Sequence, residues 1–91
     1  MDQDKLREYI TNTTMQLSQR VNSSNIKSLA YNAEYAVLEV EFWGIKDKPP
    51  RRYRYWPVNI LQWQELTKAE SVGNYFSTNI RNIEGITTVQ I

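Results

Sequence analysis

The chain has no cysteine and no histidine. Without cysteine there are no disulfides, no thiolate metal ligands and no thiol nucleophile. Without histidine as well, a metal site would need carboxylates alone, and Asp2, Asp4 and Asp47 form no loop-ligand pattern. A general base would have to be a carboxylate, a lysine or a tyrosine. Glycine is nearly as scarce, and three scattered glycines make no phosphate-cradling loop. No apolar run approaches membrane-spanning length, and no charged segment followed by an apolar one opens the chain. The expectation is a soluble cytoplasmic protein with no metal, no cofactor and no membrane partner.

What is present fits one small globular domain of 91 residues, 41% hydrophobic and 23% charged. With no covalent staple, the fold rests on its packed core, to which the large aromatic residues contribute much of the burial. The net charge of +1 does not by itself imply nucleic acid. Its distribution says more. Lys46, Lys48, Arg51, Arg52 and Arg54 face Asp47 alone within one short stretch, which concentrates positive potential on one hairpin.

Periodicity supplies the elements. Leu6, Tyr9, Ile10 and Leu17 share one face of a helix predicted from about Asp4, its N-cap, to Gln19. A turn at "VNSSN" leads to a strand from Ile26 to Tyr31, then a short turn at 32–34. In "AVLEVEFWG", Leu38, Val40 and Phe42 point one way and Glu39, Glu41 and Trp43 the other. A loop from Gly44 to Pro50 precedes the next strand, which ends before Pro57. Asn59 and Gln62 spell a capping box for a second helix carrying Ile60, Trp63 and Leu66. Ser71 caps a third, with Tyr75, Phe76, Ile80 and Ile83 at helical spacing and Gly85 as its stop. The tail "ITTVQI" is β-prone and suits a short edge strand. The predicted class is α+β: a three-stranded antiparallel meander with helices packed on one face and an extra N-terminal helix.

Ser23-Ser24, Ala30-Tyr31, Tyr53 with Tyr55, Ser71, Gly73, Tyr75-Phe76 and Ile80-Arg81 stand in order and at compatible spacing. Together they resemble the KTSC domain, a small module found at the C-terminus of some lysyl-tRNA synthetases and as lone bacterial and phage proteins. Ala30 stands where the family pattern has glycine, and the loop before Tyr53 is longer than usual. The resemblance divides the chain into an N-terminal helical extension (1–20), a KTSC-like domain (21–82) and a tail (83–91). It implies no established activity, and the company of a tRNA synthetase suggests RNA.

The run "RRYRYWPV" supports two readings. If Leu38, Val40 and Phe42 face the core, antiparallel pairing puts Tyr53 and Tyr55 beside them. Arg52, Arg54 and Trp56 then join Glu39, Glu41 and Trp43 on the outer face. In the structural reading, tyrosines fill the core and arginines pair with glutamates across strands. In the functional reading, Trp43 and Trp56 stack bases while Arg52, Arg54, Arg51, Lys46 and Lys48 meet phosphates of RNA or another single strand. Glu39 and Glu41 would repel phosphate on that surface. If the tyrosine face is open instead, Tyr53 and Tyr55 become the stacking residues.

Enzymatic alternatives are weaker. Glu39 and Glu41 lie roughly 7 Å apart on a strand, but an open sheet face does not raise a carboxyl pKa. Ser24 and Lys27 match a Ser-x-x-Lys spacing that works only on a helix, whereas Ser23 and Ser24 suit a turn. No enzyme is expected. The rival to nucleic-acid binding is a protein-interaction module, docking an unknown protein through Leu6, Tyr9, Ile10 and Leu17 or through an edge strand.

Overall fold

Five strands, rather than the three of the predicted meander, build one antiparallel sheet in the computed structural model, which describes residues 2–91. In chain order the elements are α1 (Gln3–Asn12), β1 (Leu17–Arg20), β2 (Ile26–Asn32), β3 (Val37–Phe42), β4 (Arg51–Trp56), α2 (Ile60–Lys68), α3 (Val72–Asn79) and β5 (Thr87–Gln90). The strands lie in the order β1-β2-β3-β4-β5, so the α+β class stands, and the tail forms an edge strand paired to β4.

The other added strand comes from the second half of the predicted N-terminal helix. That helix stops at Asn12 instead of Gln19, and Asp2, not Asp4, caps it by accepting from the Lys5 amide at 2.8 Å. The Thr13-Thr14 pair is where it breaks. Two β-branched residues lose rotamer freedom in a helix, and the Thr13 hydroxyl instead donates to the Tyr9 carbonyl at 2.6 Å. Leu17 therefore stands on β1 opposite Tyr31, not on the helix face with Leu6, Tyr9 and Ile10. All four residues of β1 are exposed, so no burial pattern announces that strand.

The main core lies between the tyrosine face of the sheet and α2 and α3. Leu29, Tyr31, Leu38, Val40, Leu66 and Phe76 are essentially buried there. Tyr31 stacks on Trp63 with ring centroids 5.0 Å apart, and its hydroxyl donates to the Val58 carbonyl. The Asn59–Gln62 capping box forms in both directions, and Ser71 caps α3 by accepting from the Asn74 amide at 3.2 Å. Helix α3 ends at Asn79, well before Gly85, whose φ of 92° belongs to the turn into β5. Ile83 falls in that turn and is exposed.

A second cluster sits on the opposite face. There Ile10 of α1 is buried with Val37 and Val89, and Leu6, Tyr9, Met15 and Trp56 pack around them. Helices thus lie on both faces of the sheet, α2 and α3 on one and α1 on the other. None of the described helices is long and apolar enough to cross a membrane.

Candidate functional site

The β3–β4 register matches the alternation read from sequence. Glu39 stands opposite Arg54 and Glu41 opposite Arg52 on one face, while Leu38 meets Tyr55 and Val40 meets Tyr53 on the other. The two faces then differ in what remains free.

On the outer face, α1 occupies the half of the sheet that carries Arg54 and Trp56. Arg54 Nε donates to Glu39 Oε1 at 2.9 Å. One terminal nitrogen, Nη1, donates to the carbonyls of Ile10, Thr11 and Thr13 at 2.9, 2.9 and 2.7 Å. Carbonyls at a helix C-terminus lack intrahelical partners and carry partial negative charge, so a guanidinium satisfies both needs. Arg54 is thereby engaged as a clasp for α1. Trp56 is half-buried against Tyr9, with centroids 5.9 Å apart. Tyr9 in turn donates to the Tyr35 carbonyl at 2.9 Å, and Ile10 has no exposed surface. The apolar face of α1 already has a partner, its own sheet.

The other half of the outer face is more open. Arg52 is exposed, and Glu41 accepts from the Ser28 hydroxyl at 3.0 Å. Among the described residues the Arg54–Glu39 contact is the only ion pair, so Arg51, Arg52 and Arg81 have no carboxylate partner. Beyond β3, Trp43 is held by its Nε1 donating to the Ser23 carbonyl at 3.1 Å, with the Lys27 ammonium 5.6 Å from the ring centroid. That leaves 47% of Trp43 exposed. The following loop folds back tightly at Gly44, where a Cβ would lie 2.3 Å from the Lys48 carbonyl oxygen. Lys46 and Lys48 project from it into solvent.

On the tyrosine face, α3 leaves part of the sheet uncovered, and a cleft of roughly 610 Å³ opens between them. Its apolar wall is aromatic: Phe42, Phe76, Tyr53 and Tyr55, with Trp43 at the margin. Edge-to-face contacts lock these rings, at 5.9 Å for Phe42–Tyr53, 5.7 Å for Phe42–Phe76 and 5.2 Å for Tyr55–Phe76. Two cations line the same cleft, Arg51 and Arg81. Arg51 shares the parity of Tyr53 and Tyr55, opposite Phe42, so it faces the cleft while Arg52 faces away. Arg81 follows the buried cap residue of α3. Its amide is bonded to the Phe76 carbonyl at 2.9 Å, and Asn82 turns the chain with φ of 57°. Among the described residues no aspartate or glutamate lines the cleft. The glutamates that would repel phosphate are on the other side of the sheet.

Tyr55 is only 4% exposed, yet its hydroxyl makes no hydrogen bond to another described residue. Among the described residues no fully buried side-chain polar atom lacks a partner. That hydroxyl therefore reaches the cleft. Burial pushes the Tyr55 pKa up to about 12, the nearby Arg81 charge pulling it down and Tyr53 adding to the rise. Tyr55 thus stays protonated near neutral pH and presents an O–H donor.

From sequence, Arg51 goes with the outer-face cations, Tyr53 and Tyr55 enter only if the tyrosine face is open, and Arg81 is given no role. In the structure Arg51 and Arg81 line the cleft with both tyrosines, and the place of Arg81 depends on where α3 ends. Half of the residues that carry the family resemblance meet here, since Ser24, Tyr53, Tyr55, Gly73, Phe76 and Arg81 all line the cleft. No curated protein matches the chain. A solved structure of a KTSC domain protein from Yersinia pestis is similar, with 28% sequence identity and a TM-score of 0.70 over 86% of this chain and 99% of that one. The family model described as KTSC domain matches residues 22–83, and the chain belongs to that family.

Proposed function

We propose that the protein is a non-enzymatic binding module for single-stranded nucleic acid, RNA foremost, and that it binds through the tyrosine face rather than the outer one. The observation that carries this reading is an acid-free cleft holding Arg51, Arg81, Tyr53 and Tyr55, with exposed Trp43 at its margin. Aromatic surfaces stack bases without regard to sequence, at about 1–3 kcal/mol per base, and unpaired cations meet the backbone. Lys46 and Lys48 in the adjoining loop, and Arg52 at the same end of the sheet, extend the positive field. Arg54 and Trp56 drop out of the interface because α1 holds them. The groups with shifted pKa values, Tyr31, Tyr55 and Tyr75, all shift upward, which supports binding rather than acid–base work at neutral pH. The setting proposed is a bacterial cytoplasm, the protein being the cell's own or phage-borne.

Fluorescence anisotropy with labelled mixed-sequence RNA and DNA, single- and double-stranded, tests this across a salt series. Single strands should bind with a log–log salt slope of about −0.7 per phosphate contacted. Arg51→Ala and Trp43→Ala, each shown to be folded by circular dichroism, should weaken binding. Absence of binding at low salt, where electrostatic attraction is strongest, refutes the reading. A second reading rests on β1, an edge strand exposed at every residue, to which a partner protein can add a strand. Pairing through β1 would be blocked by Ser18→Pro and unaffected by Arg51→Ala.

A further inference from the structure

We propose that the cleft seats a phosphate monoester carried by a nucleoside, with Arg51, Arg81 and the Tyr55 hydroxyl as the phosphate donors and the aromatic wall as the base platform. The inference rests on the nucleic-acid reading and narrows it to a strand end or a free mononucleotide. Donor chemistry is the reason. An internal phosphodiester carries a single charge, whereas a phosphate monoester carries about −1.5 to −2 near neutral pH and offers three strong acceptor oxygens. The cleft holds two guanidiniums without carboxylate partners and no acid to offset them. That surplus suits a dianion. Guanidinium groups bind phosphate in a bidentate manner.

The Tyr55 hydroxyl adds a neutral donor. It has no protein partner and, like any tyrosine well below its pKa, carries its proton near neutral pH. Its oxygen is solvent-accessible at the cleft and so is open to an acceptor brought by a ligand. Size agrees as well. The roughly 610 Å³ of the cleft lies within the range of about 300–1,000 Å³ typical of small-ligand pockets. Phe42 and Tyr53, both part-exposed, give the wall a planar ligand needs, and Ser24, Asn25, Asn82 and Thr88 place polar groups around it.

The experiment compares single-stranded RNA of one mixed sequence with a phosphate or a hydroxyl at the 5′ end, and the corresponding pair at the 3′ end, by anisotropy with the label at the opposite end. Adenosine monophosphate and inorganic phosphate serve as competitors, and the monophosphate is also titrated directly by calorimetry. One phosphorylated end should bind about tenfold tighter or more, the scale of a charged hydrogen bond. Adenosine monophosphate should compete and inorganic phosphate should compete far less. Arg81→Ala should erase the preference while hydroxyl-ended RNA still binds, and Tyr55→Phe, which keeps the ring, should reduce it.

If phosphorylated and hydroxyl ends bind alike and the monophosphate neither binds nor competes, the inference fails while single-strand binding stands. Monophosphate binding without RNA binding would sustain the cleft ligand and remove the nucleic-acid reading. Inorganic phosphate competing as well as the monophosphate would overturn the nucleoside part. A preference that survives in folded Arg81→Ala would place the phosphate elsewhere and overturn the assignment.

Discussion

Replacing Arg54 by alanine removes four donated hydrogen bonds at once, one to Glu39 and three to the carbonyls that end α1. The pair is nearly buried, with side chains 11% and 13% exposed. Removing one partner of a buried ion pair costs about 3–5 kcal/mol because the other charge is stranded. Glu39 keeps some contact with water, which places the expected loss at the lower end, about 3 kcal/mol. For a domain of this size that lowers Tm by about 12 °C or more. Urea unfolding at 25 °C followed by tryptophan fluorescence measures the loss directly. Neutralising the stranded carboxylate should return part of it, so Arg54→Ala/Glu39→Gln should be more stable than Arg54→Ala alone by about 1 kcal/mol or more. The folded variant should bind RNA as the parent does. Stability within about 0.5 kcal/mol of the parent would refute the clasp, and lost RNA binding with unchanged stability would return Arg54 to the interface.

Three further outcomes test the surroundings of the cleft. Gly73→Ala places a Cβ 3.6 Å from Ser23 Oγ, an ordinary contact, so thermal melts should show unchanged or raised stability, by up to about 1 kcal/mol, while RNA affinity falls as the cleft narrows. Gly44→Ala meets the Lys48 carbonyl at 2.3 Å; it should cost about 1–3 kcal/mol in urea midpoints and weaken RNA binding by displacing the Trp43 loop. Tyr55 has a folded pKa raised from 10.0 to about 12, so the folded state retains a proton that the unfolded state has lost. Stability should therefore fall as pH rises from 10 towards 12, and the fall should be shallower in Tyr55→Phe when urea midpoints are compared at pH 9, 10 and 11.

Strong periodicity was legible from residues alone. The alternation of Leu38, Val40 and Phe42 against Glu39 and Glu41 gave the β3–β4 register and the correct face for Tyr53 and Tyr55, because one buried face forbids a one-residue slip. Capping chemistry was equally local, at Asn59–Gln62 and Ser71. The N-terminal segment misled because Leu17 completes a helical stripe by spacing and so outweighs the weak Thr13-Thr14 pair, while the carbonyls at the stop are met by Arg54 from distant β4. Strand β1 is exposed throughout and has no pattern to read. The cleft was invisible for a related reason. Sequence periodicity says that Tyr55 and Phe76 face inward, but how far α3 covers the sheet is a matter of packing between distant elements.

The division of labour between the two faces follows from where the negative charge sits. Both glutamates of β3 are on the outer face, where Glu39 is consumed by Arg54 and Glu41 is hydrogen-bonded to Ser28. Arg54 is nearly buried beside α1, and its Nε and one terminal nitrogen are already committed, which leaves it little reach toward a ligand. The tyrosine face received no carboxylate, so the cations that reach it, Arg51 by strand parity and Arg81 from the end of α3, have no internal partner. Both are exposed, so neither guanidinium is consumed by the fold and each is open to an anion. Their placement is economically explained by an anion that arrives from outside, and the same surplus of positive charge that would make the empty cleft repel itself is what would make it selective for a phosphate dianion over a single phosphodiester charge.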